Sequence, residues 1–278
     1  MNDALRPSSA EALNAWAARV RGNREQAERV REAPERPDFY APVASAFKAD
    51  PRRTDEPALQ HLRSLVVAGE TWLDIGAGGG RYALPLALLA REVIAVETSD
   101  SMLGVLSESM EETGIHNIRL ARGRWPLPER PTADAALMAH VGYDIEDIGG
   151  FLDAMEESAE RLCVAVLLDR APSAAAEPAW PLVHGEERVP LPGLPEFLAV
   201  LIARGRLFEV RLAERPPMHY HSREVALGFL RQQLFIEPGG TKDRRLQEVA
   251  ETLVTERNGS FGVARAPSPV GVVSWAPR

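Results

Sequence analysis

Four glycines fall within five residues of the stretch TWLDIGAGGGRYALPLA, which runs from Thr71 to Ala87. An apolar run precedes them and a helical pattern follows, so they lie where a strand turns into a helix. Glycine loses more conformational freedom on folding than any other residue, so such a cluster needs a reason. The pattern predicts a tight turn whose backbone is approached closely by a ligand.

The segments around this loop alternate between strand and helix patterns. Strands are predicted at TWLDIGA, EVIAVET, NIRLARG, ADAALMAHV and CVAVLLDR, with helical stretches between them, including RYALPLALLA. Such alternation favours crossover connections and a mainly parallel sheet. Ligands bind to these sheets at the carboxyl ends of the strands, so the glycines predict a binding site at that edge.

The two ends of the chain depart from this regular alternation. A helical stripe runs from about Ser8 to Ala33 and begins with a Ser-x-x-Glu capping box. With the proline-broken segment that follows, it makes residues 1–55 a predicted helical arm or lid ahead of a domain spanning 56–278. Ala171–Pro195 has no clear period and is predicted to be a long loop. KDRRLQEVAETLVTERNG is predicted to be a helix, and SFGVARA and VGVVSWAP the two final strands.

The composition argues against several classes of function. The 278 residues carry a net charge of −8, whereas domains that bind nucleic-acid phosphates are usually basic. The single cysteine, Cys163, allows no disulfide within the chain and no cysteine metal site. No apolar run reaches the ~18 residues of a membrane span, and the N-terminus lacks the features of a signal peptide. We expect a cytoplasmic protein with no nucleic-acid or membrane partner, and we leave a homodimer open.

Two carboxylates indicate which ligand the loop suits. A dinucleotide fingerprint needs a third glycine or alanine where Arg81 stands, and no Gly-Lys-Ser/Thr follows for a P-loop. Asp74 precedes the first glycine by two residues, where it would repel a pyrophosphate and suits a cationic amino group. Glu97 ends the second strand, 21 residues after Gly76, where a carboxylate can accept hydrogen bonds from a ribose diol.

The stretch LDIGAGGGRYALPLA, followed by VIAVETSDSML, resembles the class I S-adenosylmethionine-dependent methyltransferases of the small-molecule type, similar to methyltransferase domains 11 and 25. The resemblance covers roughly Pro57–Arg170. It implies a Rossmann-like, doubly wound α/β sheet of seven strands in the order 3-2-1-4-5-7-6. RLFEVRLAER would be strand six, VGVVSWAP the antiparallel seventh, and insertions would remain at about 171–193 and 215–264. The implied cofactor is S-adenosylmethionine, converted to S-adenosylhomocysteine.

The same resemblance implies the residues that bind the cofactor. The glycine loop would contact its methionine end and ribose, the acid of strand two its ribose hydroxyls, and the residues after that acid its adenine. By position these residues are Asp74, Gly76, Ala77, Gly78, Gly80, Glu97, Thr98, Ser99 and Met102. The family often has Gly-Asp-Ala after the third strand, but this chain has Arg124 and Trp125. Since arginine cannot accept a hydrogen bond, the adenine amino group would use a backbone carbonyl, while Trp125 offers a stacking face.

Residues near the ends of later strands are the candidates for the acceptor side. His140 and Tyr143 follow the fourth strand and would lie beside the methyl group, which makes them candidate catalytic residues and His140 a candidate cofactor contact. Methyl transfer from a sulfonium is an in-line displacement, so a base is needed only if the acceptor must lose a proton. The candidate substrate-binding residues are Tyr40, Tyr143, Trp180, His184, His219 and His221.

His219 and His221 are two residues apart, so on an extended chain their side chains would point to the same side and could bind a metal. The sequence offers no third ligand, so we expect no metal. The Asn/Asp-Pro-Pro-aromatic motif of nucleic-acid N-methyltransferases is absent after strand four. We therefore predict methyl transfer to an unidentified small molecule. A non-catalytic protein that binds the cofactor is one alternative, for which Arg124 would be the hint. A nicotinamide-dependent oxidoreductase is another, disfavoured by Arg81 and Asp74.

Overall fold

A computed structural model of the chain describes residues 7–34, 37–41, 43–216, 219–263 and 267–278. The last three residues of the predicted strand SFGVARA lie outside these ranges. None of the described helices is both long enough and apolar enough to cross a membrane.

The strands of the described residues form one large and one small sheet. The strands are β1 (Thr71–Ile75), β2 (Glu92–Glu97), β3 (Ile118–Arg122), β4 (Ala133–Ala139), β5 (Ala159–Leu168), β6 (Phe208–Arg215), β7 (His219–Tyr220), β8 (Thr255–Arg257), β9 (Ser260–Gly262) and β10 (Ser268–Trp275). The large sheet has the order β3-β2-β1-β4-β5-β10-β6, and β10 runs antiparallel to both of its neighbours. This confirms the predicted order 3-2-1-4-5-7-6, in which β10 corresponds to strand seven.

The helices lie on both faces of the large sheet and in the insertions. They are α1 (Ser9–Val30), α2 (Pro57–Ser64), α3 (Ala83–Ala87), α4 (Asp100–Thr113), α5 (Ile148–Ser158), α6 (Trp180–His184), α7 (Leu194–Ala203), α8 (Arg223–Leu234) and α9 (Thr241–Leu253). Two 3₁₀ segments span Ala44–Phe47 and Pro172–Ala179. The capping box predicted for α1 is present, because Ser8 Oγ accepts from the Glu11 N–H and the Glu11 carboxylate accepts from the Ser8 N–H.

Three local predictions are wrong, each for a physical reason. RYALPLALLA is helical only over Ala83–Ala87, because the Asn117 side-chain amide donates to the carbonyls of Ala87 and Ala90 and ends the helix there. The stretch from Ala171 to Pro195 is no structureless loop, since it contains a 3₁₀ helix and α6. The predicted last helix ends at Leu253, after which the chain turns into β8.

The predicted penultimate strand is also reassigned. Of the stretch SFGVARA, residues Ser260–Gly262 form β9, which pairs with β7 and β8 in the small sheet and not with the large one. Hairpin pairing with the neighbouring β8 needs only a two-residue turn, Asn258–Gly259, where both residues have positive φ. Local turn chemistry therefore decided the partner of this strand.

Two separate insertions pack against each other. We call residues 172–184 and 219–263 together the insertion subdomain. Its core is a cluster of buried side chains that includes Trp180, Val183, Leu230, Leu234 and Leu246, and Val30 at the end of α1 joins it. The subdomain therefore has its own apolar core, which is built from both insertions and lies beyond the carboxyl ends of β5 and β6.

Helix α1 contributes to the main core. Trp16 and Val20 are only 3% and 1% exposed and belong to the cluster that covers one face of the large sheet. Trp16 Nε1 donates to the Ile145 carbonyl at 2.8 Å. The division of the chain at residue 55 stays a prediction, but α1 packs as part of the core and not as a detached arm.

Candidate functional site

The glycine loop, residues 76–80, is built on left-handed backbone. Gly76, Gly78 and Gly80 have φ of +75°, +56° and +86°, a region that side chains rarely adopt. A Cβ at Gly76 would come within 2.5 Å of Val141, and one at Gly80 within 2.5 Å of Leu106, so close packing also requires these two glycines. A Cβ at Gly78 would meet nothing within 4 Å among the described residues. Gly78 therefore presents its backbone to open space, where a ligand can reach it.

Asp74 lies directly below this loop, in β1, and is 2% exposed. Its Oδ1 has no hydrogen-bond partner among the described residues. Burial, together with the negative charge of Glu97, raises the pKa of Asp74 to about 7, although an N–H of Ala83 opposes the shift. A buried carboxylate oxygen without a donor is costly, and a cationic group bound there would satisfy it.

Glu97 is held at the tip of β2 by backbone donors. Its Oε1 accepts from the N–H groups of Thr98 and Ser99 at 2.7 and 2.9 Å, and its Oε2 accepts from the Gly78 N–H at 2.8 Å. The glycine loop and the tip of β2 are thus fixed to one carboxylate. Since each carboxylate oxygen has two lone pairs, Oε2 retains one for a ligand hydroxyl.

The start of α4 forms the next wall of the site. Ser99 caps this helix by accepting from the Met102 N–H at 3.1 Å, and Met102 is buried. The Asp38 carboxylate lies 2.9 Å from Ser99 Oγ and accepts from the backbone and hydroxyl of Ser101 at 3.0 and 2.7 Å. Although burial opposes them, these donors lower the pKa of Asp38 to about 2. No sequence pattern had singled out Asp38, because its partners lie some 60 residues away.

We call the described residues 37–41 and 43–48 the cover segment. Tyr40 packs edge-on between Phe39 and Phe47, with ring centroids 5.3 and 5.7 Å apart, and is 40% exposed. The carbonyl oxygen of Phe47 lies 3.4 Å from the position of a Cβ at Gly79. Partial burial and the charges of Asp144, Glu97 and Asp38 raise the pKa of Tyr40 to about 12. The cover segment therefore lies over the glycine loop and the start of α4.

The other predicted cofactor contacts, which follow β1, β2 and β3, differ in how far they are exposed to solvent. Trp125 is buried, packs edge-on against Phe151 and donates from Nε1 to the Phe151 carbonyl at 3.3 Å, whereas Arg124 is exposed. Thr98 is exposed and Ala77 is buried. The indole that was predicted as a stacking face is thus anchored in the core by its own N–H.

His140 and Tyr143, the candidate catalytic residues, both follow β4 and lie close together. His140 has φ of +56°, a strained conformation for a residue with a side chain. Its Nδ1 lies 3.4 Å from Tyr143 Oη, and its Nε2 lies 3.4 Å from both Tyr82 Oη and Arg215 Nη1. Burial and the charges of Arg215 and Arg81 lower the pKa of His140 well below its usual range, so the imidazole is neutral at pH 7.

The tyrosines and the arginine around His140 differ in their partners. Tyr143 Oη accepts from the Leu168 N–H at 2.8 Å, and Tyr82 Oη donates to Glu56 Oε1 at 2.7 Å. Burial raises the pKa of both hydroxyls, so both stay protonated. Arg215, at the end of β6, is half-buried and forms no ion pair with any described residue. The sequence did not identify Arg215 as a site residue, because Arg215 is one of several charged residues along β6 and no motif distinguishes it.

A cavity of about 650 Å³ opens at the carboxyl ends of β5 and β6, between the large sheet and the insertion subdomain. Its lining is largely apolar and includes Pro172, Pro178, Tyr220, Phe229, Leu253 and Val263. A second cavity of about 300 Å³ lies beside it and is lined by Tyr82, His140, Arg81 and Glu56 among others. Arg215 and Pro216 line both, so the two cavities adjoin each other at the end of β6.

All six predicted substrate-binding residues, including Tyr40 and Tyr143, lie outside the linings of both cavities. Trp180 is buried in the insertion subdomain, where His184 packs against its ring at 4.5 Å. Burial and the charge of Lys242 lower the pKa of His184 to about 4. His219 and His221 are exposed on either side of Tyr220, because strand alternation turns only Tyr220 inward. Within the described ranges, no group of three His, Cys, Asp or Glu side chains is placed to hold a metal.

Comparison with known proteins finds a family that matches part of this chain. Residues 73–160 match the family described as "Methyltransferase domain". An uncharacterised protein of Haemophilus influenzae is 29% identical over 123 residues, which are 44% of this chain and 42% of that protein. The chain spans less than half the length of the curated relatives it matches.

Two solved structures share the fold. YjhP from Escherichia coli has a TM-score of 0.56 at 15% identity, covering 86% of this chain and 99% of its own. A methyltransferase from Thiobacillus denitrificans in complex with S-adenosyl-L-homocysteine has a TM-score of 0.52 at 16% identity, covering 88% of this chain and 100% of its own. Residues 73–160 thus match a methyltransferase domain, and the chain as a whole shares the fold of these two solved structures.

Proposed function

We propose that this protein transfers a methyl group from S-adenosylmethionine to a small molecule held in the cavity beside His140. The observation that carries the proposal is the unsatisfied Oδ1 of Asp74, which is buried next to the open backbone of Gly78. The amino group of the cofactor would donate to Asp74, and a ribose hydroxyl would donate to Oε2 of Glu97. The Thiobacillus protein binds S-adenosyl-L-homocysteine on the same fold, which supports this choice of ligand.

The bound cofactor would supply an electrophilic methyl group, and the chain would mainly position the acceptor and exclude water. Tyr143 is anchored by the Leu168 N–H and can orient an acceptor next to His140. The cover segment closes the site from the side of α4, because Asp38 joins it to Ser99 and Ser101.

The size and setting of the cavity support a small acceptor. The larger cavity, of about 650 Å³, falls in the range that holds a metabolite-sized ligand, and the insertion subdomain covers it. The chain as a whole is acidic, with a net charge of −8, which does not favour a nucleic-acid acceptor.

Titration calorimetry with S-adenosylhomocysteine tests the cofactor assignment. We expect Glu97→Ala to weaken binding at least ~10-fold, because one or two charge-assisted hydrogen bonds are lost. Asp74→Asn should weaken it by a similar factor, because an amide carries no charge to match the amino group. Glu92→Gln is the matched control, since Glu92 begins the same strand at the opposite edge of the sheet.

Equal affinities for the wild-type chain, Glu97→Ala and Asp74→Asn would refute both assignments. Binding of NADH in place of S-adenosylhomocysteine would favour the oxidoreductase alternative. Release of S-adenosylhomocysteine from labelled cofactor with a panel of metabolites separates a methyltransferase from a protein that only binds the cofactor.

A further inference from the structure

Arg215 is the exception among the arginines that line the two cavities next to His140. Arg53 and Arg81 both pair with Glu56, at 2.9 and 2.8 Å, and Arg170 pairs with Glu177. Arg215 has no carboxylate within ion-pair distance among the described residues, and its contact is the neutral Nε2 of His140 at 3.4 Å. Burial and the charge of Arg81 lower the pKa of Arg215. A half-buried cation without a counter-ion is costly, and an anion bound there would remove that cost.

Of the acidic residues that line the two cavities, none forms an ion pair with Arg215, and this includes Asp55 and Glu214 of the smaller cavity. Asp169 lines the larger cavity, but it follows Leu168 by one residue. Leu168 and Ala213 face each other across Val270, and Arg215 comes two residues after Ala213. Strand alternation therefore directs Asp169 and Arg215 to opposite faces of the sheet. Glu56, in the smaller cavity, is already shared by two arginines and Tyr82.

The groups around His140 among the described residues are poorly suited to deprotonate an acceptor. The pKa of His140 is well below its usual range, which makes the imidazole a weak base. Burial keeps Tyr82 and Tyr143 protonated, and the charge of Arg81 and the hydroxyl of Tyr82 outweigh burial in lowering the pKa of Glu56. An alcohol or an ammonium ion would have to lose a proton here before it could react. A carboxylate is already deprotonated at pH 7.

We infer that the acceptor is a small apolar carboxylate, that Arg215 binds its carboxylate group beside His140, and that one carboxylate oxygen takes the methyl group. This inference rests on the proposed function. The carboxylate oxygen forms a bond to the methyl carbon while the carbon–sulfur bond breaks and its electron pair stays on sulfur. The products are a neutral methyl ester and S-adenosylhomocysteine, and no proton is transferred. The ester no longer pairs with Arg215, so its release is favoured.

Arg215 acts mainly in binding and orientation under this scheme. The negative charge on the acceptor disappears during the reaction, so the ion pair weakens toward the transition state and cannot accelerate the chemical step. Removing the guanidinium should therefore raise KM by a larger factor than it lowers kcat. A merely structural role for Arg215 would instead lower the melting temperature and change the affinity for S-adenosylhomocysteine.

The test uses the full chain saturated with S-adenosylhomocysteine and titrated with octanoate, cinnamate, their amides and octylamine. We expect the wild-type chain to bind both carboxylates and to bind the amides and the amine at least ~10-fold more weakly. Arg215→Gln should lose at least ~10-fold in affinity for the carboxylates and keep its affinity for the amides, whereas Arg215→Lys should recover part of the loss. Arg211→Gln is the matched control, because Arg211 lies in the same strand as Arg215 but is exposed and lines neither cavity.

Turnover is measured with labelled S-adenosylmethionine as base-labile methyl ester that releases volatile methanol. Ester formed by the wild-type chain, with the larger change in KM for Arg215→Gln, supports the inference. Tighter binding of the amine, equal binding of all probes, or no binding of any probe while S-adenosylhomocysteine still binds would overturn the carboxylate acceptor alone. Failure of the wild-type chain to bind S-adenosylhomocysteine would overturn the proposed function and the acceptor inference with it.

Discussion

The two sides of the site leave opposite charges unsatisfied. Below the glycine loop, Oδ1 of Asp74 is a carboxylate oxygen that has no donor among the described residues. Around the larger cavity the guanidinium of Arg215 forms no ion pair with any described residue. Each side is therefore incomplete without a ligand of the opposite charge, a cationic group at Asp74 and an anionic one at Arg215. The Asp74 carboxylate and the Arg215 guanidinium, at the same edge of the sheet, therefore need ligand groups of different chemistry.

The two sides also differ in how they are built. The glycine loop, Asp74 and Glu97 lie within a stretch of 24 residues at the ends of adjacent strands. The acceptor side combines residues from α2, β5, β6 and β10, from the segments before α3 and after β4, and from both insertions. Variants that affect one side and leave the other intact are the sharpest tests of this division.

The largest expected effect is on the cofactor side, at Gly78. Gly78→Val should weaken S-adenosylhomocysteine binding by about 100-fold or more, since the side chain would fill the open space in which the ligand contacts the backbone. Affinity by calorimetry and melting temperature are measured together. Gly114→Val is the matched control, because Gly114 has a similar φ of +67° and equally open surroundings, but it ends α4 far from the loop.

Both glycine variants carry the same backbone strain, so both should lose a similar amount of stability, about 1–2 kcal/mol. If Gly78→Val binds S-adenosylhomocysteine as well as Gly114→Val does, the glycines serve the turn alone. Comparable losses of affinity in both variants would instead point to a general effect of destabilisation.

The next largest expected effect is a dependence of the free energy of unfolding on pH, which Asp74 causes and Asp74→Asn should remove. The pKa of Asp74 is about 7 in the folded chain, above that of an aspartate in the unfolded chain. The folded state therefore holds a proton that the unfolded state has lost between about pH 4 and 7. Over this range the free energy of unfolding should fall as pH rises, by up to about 1.4 kcal/mol per unit. Asp74→Asn should lack this decline, so the melting temperatures of the two chains should diverge progressively toward pH 8.

Binding should show the opposite trend. A cationic amino group prefers the ionised carboxylate, so wild-type affinity for S-adenosylhomocysteine should fall up to tenfold per unit as pH drops below about 7. Asp74→Asn should show a flat profile, which calorimetry between pH 5.5 and 8 can establish. Parallel profiles for the two chains would remove Asp74 from contact with the amino group.

The contrast between the two sides also explains how much the sequence alone could predict. The strand order and the loop were predictable because hydrophobic period and glycine spacing are local signals, and the structure has both. The short α3 was not, because Asn117, 30 residues away, takes the carbonyl at its end. Arg215 and Asp38 carried no local signal either. Their roles depend on which groups the fold brings within hydrogen-bond distance, and strand alternation fixes only the face on which a side chain lies.

The insertions show the same limit at the scale of a subdomain. Trp180, His184, His219 and His221 are chemically versatile residues in irregular sequence, which made them natural candidates for contact with the acceptor. The structure uses Trp180 as the centre of an apolar core and leaves the last two histidines exposed. The lining of the cavity comes mainly from prolines, Tyr220 and Phe229, which are apolar residues without a recognisable pattern.

The smallest expected effect concerns the cover segment, which joins the arm to the cofactor side. Deleting residues 1–43 would also remove Trp16 and Val20 from the core, so point variants are the better test of a lid. Asp38→Asn weakens the contact with Ser99 and Ser101, and Tyr40→Ala removes a ring packed between Phe39 and Phe47.

Each variant should raise the dissociation rate of S-adenosylhomocysteine by about 3- to 10-fold, because one or two surface contacts that hold the cover closed are lost. Stopped-flow displacement measures this dissociation rate.

Glu112→Gln is the matched control. It breaks the exposed Lys48–Glu112 ion pair at the far end of the cover segment and should leave the dissociation rate unchanged. The affinity of the SAH-loaded chain for octanoate should not change in any of these variants, because Arg215 and the cavity lie across the sheet from α4. Identical dissociation rates in Asp38→Asn, Tyr40→Ala and the wild-type chain would show that the cover segment packs beside the site without closing it.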